Sequence, residues 1–119
     1  MAPLILVVDD HVPLLKALRR SLESWGCIVI ATERAEYALK ILASGFEPVL
    51  ILSDMDMPGM QGDEFCRLVK AQYPKITFVL TSGSADVIVK GRAVGADYTF
   101  LKPVANTELR ALIRMWDPT

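Results

Sequence analysis

The chain contains little of the chemistry that usually builds covalent or metal-bound scaffolds, with two cysteines and one histidine among 119 residues. Cys27 and Cys66 are isolated from each other and lack the spacing of a zinc or redox motif, so we expect both to be reduced packing residues. A multi-histidine metal site is excluded, and a triad based on His11 is not expected. We expect His11 to face solvent at the start of a helix.

Runs of one charge and long apolar runs are also scarce. Thirteen basic and fourteen acidic residues leave a formal net charge of -1, and no Lys/Arg run provides a footprint for nucleic acid. The longest apolar stretches are about half of a ~20-residue membrane span, and no basic segment precedes the first one. The sequence therefore predicts a cytoplasmic protein without direct nucleic-acid or membrane binding.

The residues that are present suit one compact domain, predicted over 1–119, because 52% of them are hydrophobic. Short apolar runs alternate five times with segments of helical period, which indicates a parallel α/β sheet with helices on both faces. The predicted strands are 4–8, 27–31, 49–53, 76–81 and 98–101. The predicted helices are 12–25, 36–43, one around 65–69, 85–94, and one carrying the apolar stripe 109–116.

Three helix details follow from single residues. Pro13 suits the first turn of the first helix. Gly91 weakens the fourth helix by about 1 kcal/mol relative to alanine, so we expect that helix to move. Asn106 or Thr107 is expected to cap the last helix.

Charged residues stand at three of the predicted strand ends. Asp9 and Asp10 follow the first strand, Asp54 follows the third, and Lys102 follows the fifth. Because the carboxyl ends of parallel strands meet in one crevice, we expect these groups to form one site. Two carboxylates ~4 Å apart repel by up to ~4 kcal/mol at an effective dielectric of ~20, so the cluster needs Lys102 and a hard divalent cation. Taken alone, Asp9 and Asp10 fit a helix N-cap with a solvated neighbour better than a site, and Asp54 fits a loop acid; the presence of Lys102 and Asp54 at the same edge reverses that preference.

Five motifs occur in a fixed order along the chain. They are Leu-Val-Val-Asp-Asp at 6–10, Asp-Met-Asp-Met-Pro-Gly-Met-Gln-Gly at 54–62, Ser82-Gly83, Gly95-Ala96-Asp97 and Lys102-Pro103. Together they closely resemble the receiver domain of bacterial two-component response regulators. The resemblance implies a flavodoxin-like, doubly wound sheet of five parallel strands in the order 2-1-3-4-5, with five helices.

The resemblance also assigns roles to the charged residues. Asp54 is implied to accept a phosphoryl group from a histidine kinase or phosphotransfer protein, with Lys102 assisting. Mg²⁺ is implied to bind Asp9, Asp10, Asp54 and the backbone carbonyl of Asp56, whose side chain is then less constrained. On this reading the protein is not an enzyme with turnover, because it catalyses only its own phosphorylation and dephosphorylation.

Two adjacent hydroxyls could serve as the conformational switch, and side-chain alternation lets only one of them face the phosphoryl group. Counting from Asp54 by likeness to the family selects Ser82, which leaves Thr81 as an ordinary strand residue. The remaining site residues are implied to be structural: Gly83 as a small neighbour, Pro103 after a cis peptide bond, and Pro58, Gly59 and Gly62 in the turn that follows Asp54, where glycine permits positive φ.

The output of such a domain is implied to be the face formed by the fourth helix, fifth strand and fifth helix, acting on an unidentified partner or output domain and supporting homodimerisation. Family members commonly have an aromatic residue three positions before the lysine. Here that position is Thr99, so the usual aromatic coupling is not expected.

Two other functions remain as alternatives. Asp54-x-Asp56 is similar to the nucleophile motif of haloacid-dehalogenase-type phosphatases, although there the motif lies on the first core strand and Pro58 would replace a Thr or Val. A receiver that acts as a phosphorylation-independent interaction module is less favoured, because every charged site residue is present.

Overall fold

A computed structural model describes residues 2–116; residue 1 and residues 117–119 of the predicted domain lie outside the described residues. The strands are β1 (Leu4–Val8), β2 (Ile28–Thr32), β3 (Leu50–Asp54), β4 (Thr77–Ser82) and β5 (Tyr98–Leu101). The helices are α1 (Val12–Ser24), α2 (Ala35–Ala43), α3 (Gly62–Gln72), α4 (Val87–Val94) and α5 (Asn106–Ile113), followed by a short 3-10 helix (Arg114–Trp116).

The five strands form one parallel sheet in the order β2-β1-β3-β4-β5. This confirms the doubly wound fold predicted from the sequence. Because every strand runs in the same direction, all five carboxyl ends lie at one edge of the sheet, which is where the charged residues occur. We call this edge the carboxyl edge.

Side-chain alternation along the strands divides the core into two layers. On β1, Ile5 and Val7 pack beneath α1 and α5, whereas Leu6 and Val8 pack beneath α2, α3 and α4. The helices complete each layer with buried residues: Leu15, Leu22, Leu109, Leu112 and Ile113 on one side, and Ala35, Ala38, Leu42, Phe65, Cys66, Val69 and Val87 on the other. Both strand faces are therefore apolar, which explains the continuous apolar runs in the sequence.

Three strands begin one residue later than the apolar runs predicted. Cys27 and Ile76 are buried, but their backbone N–H groups close turns: Cys27 donates to the last turn of α1 and Ile76 donates to Tyr73, both at 3.1 Å. These residues are buried but lie outside the paired part of the strand. A prediction from the apolar pattern alone therefore starts the strand one residue too early. The shift makes Asp54 and Ser82 the final residues of β3 and β4.

The helix predictions hold except at the ends. Pro13 lies in the first turn of α1 as expected. The predicted cap of α5 is wrong: Ala105 occupies the N-cap position without a side-chain bond, and its carbonyl accepts the N–H groups of Glu108 and Leu109. Helical hydrogen bonding thus starts before Asn106, which leaves neither that residue nor Thr107 at the cap.

A polar cluster joins three elements at the edge opposite the site. The Lys70 ammonium of α3 donates to the carbonyls of Pro74 and Ile76 at 3.2 and 2.9 Å and to Asp97 Oδ2 at 2.9 Å. The same Asp97 oxygen accepts the N–H of Phe78 at 2.8 Å. These bonds tie the end of α3 to the beginnings of β4 and β5.

Both cysteines are buried, as expected for packing residues. Cys66 lies on the buried face of α3, and burial raises the pKa of its thiol to about 12. A thiol with this pKa has almost no thiolate at neutral pH, which makes it a poor nucleophile.

Candidate functional site

Three carboxylates converge at the carboxyl edge. Asp9 directly follows β1, Asp54 ends β3, and one oxygen from each of Asp9, Asp10 and Asp54 lies within 4.8 Å of the others. Asp9 and Asp54 are only 2% and 5% exposed, whereas Asp10 is exposed. The cluster therefore has two buried acids and one acid open to solvent.

Lys102 supplies the positive charge at this cluster. Its ammonium lies 3.0 Å from Asp9 Oδ2 and 3.1 Å from Asp54 Oδ1, and its side chain is 24% exposed. The Lys102 N–H donates to the carbonyl of Ser82 at 2.9 Å, which continues the β4–β5 pairing by one residue. The four charges predicted to meet are thus brought together.

Burial and charge act in opposition on these groups. Burial raises the pKa of Asp54, while the bond and charge of Lys102 oppose that rise and the charge of Asp9 adds to it. Burial alone lowers the pKa of Lys102, but the hydrogen bonds and charges of Asp9 and Asp54 outweigh it and hold the pKa above its usual value. Lys102 is consequently protonated at neutral pH.

The donor set fits a small hard cation. Carboxylate oxygens are the ligands that Mg²⁺ prefers, and Mg²⁺ usually takes one or two carboxylates together with water. Three carboxylates against one ammonium leave an excess of negative charge, so a divalent cation relieves repulsion that Lys102 alone does not. The backbone N–H of His11 donates to Asp9 Oδ1 at 2.9 Å, which fixes the orientation of that acid.

The turn after Asp54 depends on two glycines for different reasons. Gly59 has φ +77°, a left-handed backbone conformation that glycine adopts without steric cost, as expected for a glycine in this turn. The same expectation is wrong for Gly62: its φ is not positive, but a Cβ there would overlap the Asp54 carbonyl oxygen. Its N–H donates to Met55 O at 2.8 Å, which closes the loop containing the exposed Pro58.

The two candidate hydroxyls occupy different positions on β4. Thr81 pairs in register with Asp54, and its hydroxyl lies 3.4 Å from the carbonyl oxygen of Ser53. Ser82 lies one residue further toward the carboxyl edge, and its hydroxyl donates to Asp56 Oδ2 at 2.9 Å. The next residue, Gly83, faces open space, and the Lys102–Pro103 bond is cis as expected.

Sequence reasoning missed this contact of the Asp56 side chain, which it treated as less constrained than its backbone carbonyl. The signal that could have indicated it is spacing: Asp56 lies two residues beyond the end of β3, beside the neighbouring strand end that bears Ser82. The conformation of the loop decides whether those two side chains meet.

Comparison with known proteins gives a consistent result. The family model for the response regulator receiver domain matches residues 5–114. The response regulator protein FleR of Pseudomonas aeruginosa is 35% identical over 116 residues, which cover 95% of this chain and 24% of FleR. The virulence sensor protein BvgS of Bordetella pertussis is 35% identical over 115 residues, covering 89% of this chain and 9% of BvgS.

Solved structures of receiver domains have the same fold as this chain. A response regulator receiver protein from Pseudomonas putida has a TM-score of 0.88 at 29% identity, covering 97% of this chain and 98% of that one. The chemotaxis response regulator CheY4 of Vibrio cholerae has a TM-score of 0.85 at 25% identity over 97% and 98% of the two chains. The BeF3-activated receiver domain of DrrB has a TM-score of 0.84 at 25% identity over 98% and 97%.

Fold and site together define a doubly wound domain with an acidic cluster at its carboxyl edge. The chain belongs to the response regulator receiver domain family of two-component signalling systems. It spans a quarter or less of the length of the two curated relatives named above. Within residues 2–116, no helix combines the length and apolar character needed to cross a membrane.

Proposed function

We propose that this chain is a phosphoacceptor switch in which Asp54 receives a phosphoryl group from a histidine kinase or a phosphotransfer protein, with residues 1–119 acting as one cytoplasmic receiver domain. The observation that carries the proposal is the position of the Asp54 carboxylate. It is buried at the carboxyl edge, 3.1 Å from the Lys102 ammonium and within the same cluster as Asp9 and Asp10.

The side chains of the site divide the chemistry between them. An Asp54 carboxylate oxygen attacks phosphorus and forms a new O–P bond, while the bond from phosphorus to the donor breaks and its electrons leave with the donor. Lys102 donates hydrogen bonds to the phosphoryl oxygens, where charge accumulates. Asp9, Asp10, Asp54 and the Asp56 backbone carbonyl would hold Mg²⁺. When bound, Mg²⁺ supplies the remaining positive charge that draws electron density from those oxygens.

After transfer, the site has a new anion that needs hydrogen-bond donors. Phosphorylation adds up to about two negative charges. Ser82, at the end of β4, then turns its hydroxyl toward a phosphoryl oxygen, and the loop that leads to α4 follows it. Thr81 stays with the strand, because its hydroxyl faces the carbonyl of Ser53.

The surface that changes its affinity for a partner in response is the face made by α4, β5 and α5. Five large apolar side chains on α4, β5 and the 3-10 helix after α5 are exposed by 36–72%: Ile88, Val89, Tyr98, Leu101 and Met115. Exposed apolar residues on adjoining elements can form a binding surface, and two of them, Tyr98 and Met115, are in contact, with the Tyr98 hydroxyl 3.7 Å from the Met115 sulfur. We assign this face to an output partner or to homodimerisation.

The phosphatase alternative has no observation in its favour. In that reading the Asp56 carboxylate serves as an acid–base toward the leaving group, but here it accepts a hydrogen bond from Ser82. We therefore expect no turnover of a generic phosphomonoester with Mg²⁺.

Intact mass spectrometry after incubation with acetyl phosphate and Mg²⁺ tests the proposal. Wild type should gain one phosphoryl group, and Asp54→Asn should gain none. Asp63→Asn is a matched control, because Asp63 lies in the first turn of α3 and bonds only its neighbour's N–H among the contacts described. One added phosphoryl group on Asp54→Asn would refute Asp54 as the acceptor.

A further inference from the structure

We propose that Asp56 is a positioning residue that holds the Ser82 hydroxyl in the resting conformation, and so sets how readily the switch responds to a phosphoryl group. This inference rests on the proposed function, because it concerns the same site. It gives a regulatory role to a carboxylate at the carboxyl edge whose side chain has no other part in the chemistry.

The single proton of the Ser82 hydroxyl is already committed in the resting protein. A serine hydroxyl has one proton to donate, together with lone pairs that accept. Ser82 donates that proton to Asp56 Oδ2 at 2.9 Å and accepts the N–H of Ser84 at 3.1 Å. Ser82 is 1% exposed, so in the resting protein bulk water does not compete with either partner.

The bond to Asp56 is stronger than an ordinary hydroxyl contact. Hydrogen bonds to a carboxylate are about twice as strong as bonds between neutral groups. Asp56 itself is exposed, so water solvates the rest of its carboxylate and the bond does not require a buried counter-charge. Asp56 thus competes directly with a phosphoryl oxygen for a single proton.

Release of Ser82 also affects the loop beyond it. When the hydroxyl turns toward Asp54, it leaves Asp56 and withdraws the acceptor of the Ser84 N–H. The carbonyl of Ser84 in turn accepts the N–H of Val87, the first residue of α4, at 3.2 Å. A chain of three hydrogen bonds therefore connects Asp56 to the start of the helix that we assign to output.

A purely electrostatic effect of Asp56 has to be separated from this role. A carboxylate near Asp54 repels any anion there, whatever Ser82 does. The two explanations differ in one respect: repulsion persists when the Ser82 hydroxyl is removed, whereas competition for its proton does not. A double-mutant cycle between Asp56 and Ser82 distinguishes them.

The first measurement needs no phosphoryl group and tests the resting bond. Amide hydrogen exchange of Ser84 is followed by NMR in wild type, Asp56→Ala and Asp56→Asn, with Glu33→Gln as the control, because Glu33 is an exposed carboxylate just beyond β2 at the same edge. We expect exchange to be roughly fivefold faster in Asp56→Ala, the equivalent of losing one hydrogen bond, and within about twofold of wild type in Asp56→Asn, which keeps an acceptor. Unchanged exchange in Asp56→Ala would overturn the inference.

The second measurement tests the consequence, with BeF₃⁻ and Mg²⁺ as the probe for the phosphoryl group. Asp56→Ala should bind BeF₃⁻ roughly five- to tenfold more tightly than wild type, but should change affinity by less than about twofold in a Ser82→Ala background. Equal tightening in both backgrounds would leave only electrostatic repulsion and overturn the inference. A wild type that binds no BeF₃⁻ would instead contradict the proposed function, and Ser84 exchange would still decide the Asp56–Ser82 bond.

Discussion

Replacing Lys102 by methionine should destabilise the protein strongly in the absence of Mg²⁺. Methionine keeps an apolar side chain of similar length and removes only the charge and its hydrogen bonds. The change deletes two ion pairs, at 3.0 and 3.1 Å, and leaves two carboxylates that are 2% and 5% exposed without their counter-charge.

The magnitude follows from the burial of the partners. Each pair is worth about 5 kcal/mol in gross Coulomb energy at an effective dielectric of ~20. Desolvation cancels much of this energy, and removing one partner of a buried pair typically costs about 3–5 kcal/mol. Because the Lys102 side chain is 24% exposed, water reaches the gap it leaves, and we expect a loss near the lower limit, about 3 kcal/mol.

The pH and Mg²⁺ dependence give this prediction its specificity. The pKa of Lys102 is raised in the folded protein, so its contribution is complete at neutral pH and is lost only as pH rises through that raised value. In the methionine variant nothing from Lys102 opposes the burial and the Asp9 charge that raise the pKa of Asp54, so the folded state binds a proton at Asp54 more readily and stability should recover as pH falls from 7 toward 5. Mg²⁺ should narrow the gap to wild type, because it replaces the missing positive charge.

Urea unfolding at pH 7 and pH 5, with and without Mg²⁺, measures these effects. Lys16→Met is the control, because Lys16 is exposed on α1, and it should change stability by less than about 0.5 kcal/mol. A loss below about 1 kcal/mol for Lys102→Met at pH 7, or a loss that Mg²⁺ leaves unchanged, would refute the reasoning about the cluster.

Three further predictions concern packing and reactivity. Gly62→Ala should cost about 3 kcal/mol or more in urea unfolding because its Cβ overlaps backbone, whereas Gly83→Ala, which faces open space, should stay within about 1 kcal/mol; equal losses would contradict the close-approach argument. Gly91→Ala should be destabilised by about 1–3 kcal/mol through overlap with the Thr99 methyl group, and adding Thr99→Ser, which removes that methyl, should restore much of the loss in the same assay. The Cys66 thiol, with a pKa of about 12, should resist a maleimide in native buffer and react in urea, and rapid native labelling would show that its burial is overstated.

The fold was predictable because its signals are redundant. Five apolar runs alternating with helical segments specify parallel strands between helices, and the observed two-layer core follows from that pattern, most fully at the central strands β1, β3 and β4. Strand ends were less predictable, because burial and pairing are separate conditions. Ile76 meets the first condition and not the second.

The site was predictable to the extent that sheet topology fixes it. Asp9, Asp54 and Lys102 meet because each ends or follows a parallel strand. Their convergence can therefore be predicted without knowing the conformation of any loop. The bond between Asp56 and Ser82 depends on the conformation of the turn after β3. Gly62 shows the same limit. Glycine is needed there because the Asp54 carbonyl oxygen leaves no room for a Cβ, and only the folded chain brings that carbonyl close.

The bonds of Lys70 at the far edge of the sheet determine where movement can occur. Its ammonium and Asp97 fasten the starts of β4 and β5 to the end of α3, while the opposite end of β4 is held through the hydroxyl of Ser82. Beyond the backbone pairing of β4 with β3 and β5, the beginning of the strand is anchored by the Lys70–Asp97 ion pair, whereas at its carboxyl end the Ser82 side chain is held by a single exchangeable proton. We therefore expect rearrangement at the phosphoryl site to move the Ser82 side chain and the loop before α4, while the beginnings of β4 and β5 keep their contacts with α3.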